Sequence, residues 1–218
     1  MKRLLLMLGF YCLSLTLHAQ IETPLQITPE EEGQVMKETD SGKYYHANGS
    51  EENMVFLGED PLTYRLLTKD RKVMVEGTLS SETDGYAREG RWIEYYSNGK
   101  PKTTGYYYKN NPVGQWEKYY PSGRLKETYT LALIYNEENF YCMTGSYREY
   151  HENGQLKTDG LYKASIDNNA KDTIYVEDPI TGQQIMKLMP TRRPKPEKMG
   201  IWETYSASGE LLKKEDNH

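Results

Sequence analysis

Gly90-Arg91-Trp92-Ile93-Glu94-Tyr95-Tyr96-Ser97-Asn98-Gly99-Lys100 is the stretch that decides the fold. It shows no helical apolar period. A run of Trp, Ile and Tyr, residues that favour strands, leads instead into an Asn-Gly turn signal. Working outward, Trp92 stands at +2 from Gly90, Tyr95 at +5 and Gly99 at +9, and that spacing recurs. Gly114, Trp116, Tyr119 and Gly123 repeat it, as do Gly145, Tyr147, Tyr150 and Gly154, and then Gly200, Trp202, Tyr205 and Gly209. Every tryptophan of the chain falls at the same place in the unit. Such self-similarity is the mark of a repeat architecture. Two weaker copies lie upstream. Tyr45-His46-Ala47-Asn48-Gly49 matches Tyr95 to Gly99, and Leu62, Tyr64 and Gly77 match positions 0, +2 and +15, with Asp70-Arg71 at the turn.

The dipeptides Asn98-Gly99, Ser122-Gly123, Asn153-Gly154 and Ser208-Gly209 read as two-residue hairpin turns of type I′. That turn sets a register in which Tyr95 faces Lys102, Trp92 faces Gly105, Tyr150 faces Lys157, Tyr147 faces Gly160 and Tyr64 faces Gly77. A ring over a cross-strand glycine shields bare backbone, so Trp92 is expected to lie over Gly105. Trp116 facing Tyr129 and Trp202 facing Glu215 depart from this pattern. Alternation then places Tyr96, Tyr120, Leu125, Leu156 and Leu211 on the tryptophan face. Tyr95, Tyr119, Tyr150 and Tyr205 fall on the other, opposite Lys102, Lys126, Lys157 and Leu212. Both faces carry charge, including the cross-strand pairs Lys118–Glu127 and Arg148–Asp159. A sandwich core would not tolerate that. The expected fold is all-β: an elongated single-layer antiparallel sheet of tandem hairpins, each unit stabilised by its neighbours.

The unit Gly-x-Trp-x-x-Tyr-Tyr-x-Asn-Gly-x resembles the MORN-variant repeat found in YwqK-type antitoxins of toxin–antitoxin systems. The resemblance covers 90–162 and 200–214 well and 40–89 loosely. It implies elongated antiparallel sheets that mediate protein or lipid contacts, and it brings no set of catalytic residues with it.

The ends add a destination. Met1-Lys2-Arg3 is followed by the apolar run Leu4 to Leu17 and by Ala19. A run of this length is shorter than the ~20 residues of a spanning helix and fits a removable leader, residues 1–19. Cys12 is not a lipidation site, since bulky Phe10 and Tyr11 precede it and the apolar run continues. Removing 1–19 takes away two cations and leaves a formal net charge of −7, which argues against a nucleic-acid partner. Cys142 then stands alone, so packing and pairing must hold the fold. No transmembrane segment is expected after cleavage.

Residues 20–39 read as a flexible polar arm and 40–89 as degenerate repeats. Residues 90–162 hold three repeats, 163–199 an insertion, and 200–218 the last repeat and tail. Within the insertion, Thr173–Glu177 and Gln184–Leu188 read as a hairpin, and Pro190 to Pro196 as an extended basic loop containing Arg192, Arg193 and Lys195. Neither a nucleophile elbow nor a phosphate loop nor clustered histidines occurs, so no catalytic residue, metal or cofactor is expected. His151 reads as a packed hairpin residue. The function expected is an exported, non-catalytic scaffold for a protein, envelope or glycan partner. An antitoxin or immunity protein is the alternative, and a glycan-acting enzyme a distant one. The tyrosines Tyr95, Tyr119, Tyr150 and Tyr205, with Lys102, Lys126, Lys157, Arg192, Arg193 and Lys195, are the candidate contacts.

Overall fold

The computed structural model describes residues 35–39, 42–46, 53–59, 62–83, 85–134, 140–177, 183–190 and 192–218. The leader, most of the arm and the copy at 45–49 beyond His46 lie outside them. The strands are β1 (Val35–Thr39), β2 (Gly42–His46), β3 (Asn53–Glu59), β4 (Leu62–Thr68), β5 (Val73–Glu82), β6 (Gly85–Tyr95), β7 (Pro101–Tyr108) and β8 (Asn111–Tyr119). They continue as β9 (Leu125–Ile134), β10 (Phe140–Tyr150), β11 (Leu156–Asp167), β12 (Lys171–Glu177), β13 (Gln184–Pro190), β14 (Arg193–Tyr205) and β15 (Leu211–Asn217). Thirteen of them form one antiparallel sheet in chain order, from β1 to β11 and then β14 and β15. β12 and β13 pair only with each other. The arm therefore ends earlier than expected, because Val35–Thr39 pairs with β2.

The sheet is a single layer, and its core is a strip on one face rather than a space between two layers. Tyr64, Trp92, Tyr107, Trp116, Tyr129, Tyr147 and Trp202 are all buried there. Tyr64 stacks on Trp92 at 5.4 Å, Trp92 and Tyr107 meet edge to face at 5.9 Å, and Tyr107 meets Trp116 at 5.4 Å. Tyr147 and Tyr162 enclose Trp202 further along, at 5.5 and 4.7 Å. Lateral contact between rings thus replaces the second sheet that a sandwich would supply.

Two expectations are corrected in the detail. The turns are not type I′. Gly99 N donates to Tyr96 O and Tyr96 N to Lys100 O, both at 2.8 Å, and of the loop residues only Gly99 has positive φ, at 80°. This is a three-residue loop: a type I turn closed by a left-handed glycine. The same bonds recur at Tyr120–Arg124, His151–Gln155 and Ser206–Glu210. A genuine pair of left-handed residues occurs instead at Lys109-Asn110, which joins β7 to β8. The extra loop residue shifts the strand ends by one. Tyr95, Tyr119, Tyr150 and Tyr205 face Pro101, Leu125, Leu156 and Leu211, not Lys102, Lys126, Lys157 and Leu212. A bulge at the following residue restores the expected register, so Trp92 does pair with Gly105 and Tyr147 with Gly160.

Pairing with Gly105 does not put the Trp92 ring over it. A methyl group built on Gly105 would lie 2.2 Å from the Trp116 ring, one on Gly77 would lie 2.2 Å from Trp92, and one on Gly160 would lie 2.3 Å from Trp202. Each ring lies back over the preceding strand. The cause is a bulge in which three residues oppose one: Gly114-Gln115-Trp116 against Gly105, and Gly200-Ile201-Trp202 against Gly160. Gly90, Gly114, Gly145 and Gly200 open these bulges at φ of 71°, 70°, 71° and 62°, a region where a side chain is strained. The units holding Trp116 and Trp202 thus keep the ring-on-glycine device rather than departing from it.

Candidate binding face

On the side opposite the tryptophans, one register row crosses eleven strands without interruption. It runs Phe56, Arg65, Glu76, Ile93, Thr104, Glu117, Thr128, Arg148, Asp159, Glu203, Lys214. Apart from Phe56 and Ile93 the row is polar; Arg65, Arg148 and Lys214 are exposed, Phe56 and Thr104 are buried, and the rest are partly buried. Salt bridges join Arg65 to Glu76 at 3.2 Å, Arg148 to Asp159 at 3.0 Å and Lys214 to Glu203 at 2.9 Å. Exposed ion pairs of this kind contribute little to stability. Their regular placement makes a charged stripe with both signs present.

The unit tyrosines border that stripe. Tyr95 donates to Glu76, Tyr119 to Glu117 and Tyr205 to Glu203, each at 2.6 Å. Burial and then the bond to the carboxylate push the Tyr95 and Tyr119 hydroxyls up to about 12. The Tyr205 hydroxyl is raised chiefly by Glu203, whose own carboxyl is held low by Tyr205 and Lys214. Tyr150 lies on the same side, two residues from Arg148. On the stripe's other flank come exposed apolar side chains: Tyr106 at 49%, Leu161 at 41%, Met199 at 42% and Ile201 at 50%. Leu161 pairs directly with Met199. A shallow groove lined by Thr63, Arg65, Glu76, Thr78, Arg91 and Ile93 opens among β4, β5 and β6. Arg91 there donates through Nε to Thr104 Oγ1 at 3.3 Å.

The lysines do not join this face. Lys102 pairs with Glu94 at 2.5 Å and Lys157 with Glu149 at 2.7 Å, and both carboxylates lie two residues along the strand from a Trp-position ring. Lys126 Nζ sits 5.7 Å over the Tyr120 ring. Bulging at Lys102 and Lys157 turns them to the tryptophan side, so the mixed Tyr–Lys face expected from simple alternation is a tyrosine face alone. Leu125, Leu156 and Leu211, paired with tyrosines, move to it.

The basic loop is also corrected. Arg193 to Tyr205 is strand β14, and Pro194 and Pro196 pair with Ile166 and Ala164 of β11. Prolines two apart turn the same way, so both missing N–H groups can face the open side of β14, which β15 reaches only from Gly200 onward. Arg192 donates to Asn168 at 3.0 Å and Lys195 pairs with Glu197 at 3.3 Å. Arg193 is a half-buried member of the strand.

His151 takes the place of Tyr96 and Tyr120 in its unit and does the same work. Tyr96 donates to Tyr119 O at 2.7 Å, Tyr120 to Tyr150 O at 2.8 Å, and His151 Nε2 bonds Tyr205 O at 2.9 Å. These contacts align successive turns. Among the described residues no group of His, Cys, Asp or Glu could hold a metal ion, and no helix is long and apolar enough to cross a membrane.

Compared with known families, the chain matches the MORN repeat variant at 88–110, 112–131 and 143–164. No curated protein matches it. The units at 62–77 and 200–215 lie outside the matched stretches, yet they share the buried ring, the three-residue turn and the register of the matched ones. Repeats of this type form scaffolds for protein or membrane contacts.

Proposed function

We propose that the chain is an exported, non-catalytic repeat scaffold that holds a protein partner on its tyrosine face. The observation that carries this reading is the contrast between the two faces. The tryptophan strip is buried and consumed in holding the sheet together. The tyrosine face carries a row that is polar from Thr104 to Lys214, beside exposed Tyr106, Leu161, Met199 and Ile201. Aromatic and aliphatic anchors beside aligned charges are the surface chemistry of protein recognition.

Photo-crosslinking residues at positions 106 and 201, on the tyrosine face, are compared with ones at 158 and 204, on the tryptophan face. Crosslinked species are expected from the first pair only, in the exported fraction, from a chain that begins at or near Gln20. Equal yields from both faces, or a retained leader, would refute the respective half of the proposal.

A further inference from the structure

The hairpin tips of β4–β5, β6–β7 and β8–β9 line one rim of the sheet. Three segments make this rim: Thr68–Lys72, Tyr96–Lys102 and Tyr120–Lys126. They hold seven cations and a single carboxylate, Asp70, in a chain whose net charge is −5. Among the described residues, ion pairing draws off only Lys102. The other six, Lys69, Arg71, Lys72, Lys100, Arg124 and Lys126, form no salt bridge, and all but Lys126 are exposed. The two later tips, at Tyr150–Lys157 and Tyr205–Lys213, balance their charges with Glu152 and Glu210. Among the described hairpin tips, the basic excess is therefore confined to three successive units.

The tips are held in line. Lys100 Nζ donates to Ser122 O at 2.5 Å, Arg124 to Glu152 O at 2.9 Å, and Asn98 to Pro121 O at 2.8 Å. Lys72, Lys100 and Arg124 occupy the same place in their units, immediately after the turn. Each is two strand spacings from the next, a pitch of about 9.5 Å. One more feature points to use. Arg71 occupies the turn position that is glycine in the later units, at φ of 61°. A non-glycine residue there is strained, and local strain is characteristically kept where a side chain is needed.

We propose that this rim binds a linear acidic polysaccharide, with successive carboxylates or sulfates resting on Lys72, Lys100 and Arg124. A chain of pyranoses charged once per disaccharide spaces its charges two sugar rings apart, a length of the same order as the ~9.5 Å pitch of the rim. An extended acidic peptide presents same-side carboxylates roughly every 7 Å, and a nucleic-acid strand in a duplex presents a phosphate about every 3.4 Å. Neither keeps step with the units. The rim adjoins the tyrosine face at Tyr95, Tyr119 and Leu125, and charge changes at Lys72, Lys100 and Arg124 leave the face's exposed anchors Tyr106, Leu161, Met199 and Ile201 in place.

Titration calorimetry of the mature protein with a purified galacturonic acid oligomer methyl-esterified at alternate residues tests the proposal, at low salt and near 0.15 M. Binding is expected to weaken as salt rises, because exposed charges are screened within ~8 Å at 0.15 M. Lys72→Glu/Lys100→Glu/Arg124→Glu should bind at least about tenfold more weakly, the change that three exposed ion pairs amount to. Arg192→Glu/Lys195→Glu, on the other basic segment, should bind like wild type. If charge reversal disturbs the far-UV spectrum, the Lys72→Gln/Lys100→Gln/Arg124→Gln variant replaces it. Unchanged binding in the rim variant would overturn the site. Equal affinity for a single-stranded oligonucleotide or a poly-glutamate of matched charge would overturn the polysaccharide. Neither result touches the crosslinking test of the tyrosine face.

Discussion

Gly105→Ala isolates the contact on which the repeat turns. The added methyl would lie 2.2, 2.3 and 2.5 Å from three atoms of the Trp116 ring. These are ring atoms in a packed strip, with Tyr107 at 5.4 Å on one side and Tyr129 at 6.5 Å on the other, so the indole must leave its site. Trp116 is 5% exposed, and losing its burial costs about 1.5–3 kcal/mol. Loss of the ring pairs adds about 0.5–1.5 kcal/mol. The expected destabilisation is about 2–4.5 kcal/mol. Gly99→Ala is the internal control. Its φ of 80° carries a strain of about 1–2 kcal/mol, but its methyl group would meet nothing within 4 Å. Urea unfolding followed by tryptophan fluorescence measures both. Combining Gly105→Ala with Trp116→Ala should cost little more than Trp116→Ala alone, since the clash vanishes with the ring. Gly105→Ala no worse than Gly99→Ala, or additive with Trp116→Ala, would refute the ring-on-glycine assignment.

Arg71→Gly should raise stability by up to about 1 kcal/mol in the same assay, by relieving the strain at φ of 61°. It should also weaken binding to the galacturonate oligomer. Alkaline titration followed by phenolate absorbance should show a class of tyrosines still protonated well above pH 10. Tyr95 and Tyr119 are raised from 10.0 to about 12, and burial raises Tyr129 and Tyr147 too. The folded state then holds more protons than the unfolded one above pH 10. The associated stability is full below pH 10 and is lost as pH climbs toward 12. A single transition at pH 10 for every tyrosine, with flat stability across that window, would contradict it.

Much of this was legible because the repeat states its register several times over. Trp92 opposite Gly105, Trp116 opposite Tyr129, and the Lys118–Glu127 and Arg148–Asp159 pairs all follow from the turn positions. The turn itself is one residue longer than the Asn-Gly dipeptide implies, and a one-residue bulge offsets it, so the register from Thr103 onward is the expected one. The offset falls at Lys102 and Lys157 themselves, so simple alternation puts these lysines on the tyrosine face while the bulge turns them to the other. The direction of the tryptophan rings was hidden for a different reason. It depends on the bulges at Gly90, Gly114 and Gly200, and the available signal was a glycine recurring two residues before each Trp where no turn is needed. Proline-rich composition likewise suggested a loop at 190–196, although prolines two residues apart fit one side of an edge strand.

Strand β15 and the open part of β14 carry residues that oppose pairing with another unit of the same kind. Trp92, Trp116 and Trp202 each lean on a glycine of the strand before, so a further tryptophan unit would need a small residue on β15 at the place of Gly105 and Gly160. That place holds Glu215, which faces Trp202 and is bound by Lys198 at 3.0 Å and Lys213 at 2.7 Å. Lys198 also lies 4.5 Å over the Trp202 ring. The turn-to-turn ladder stops at the same point, since Ser206 follows Tyr96, Tyr120 and His151 and its hydroxyl bonds only within its own loop. Along the open part of β14, Pro194 and Pro196 remove the donors that an incoming strand would use. The β15 side is thus closed by charge and the β14 edge by proline, against addition of another unit of the same kind. Growth by strand addition is what an unguarded repeat would do, and these residues oppose it at the cost of the favourable ring contacts. The tyrosine face and the basic rim differ in chemistry, and the two proposals placed on them can be tested separately.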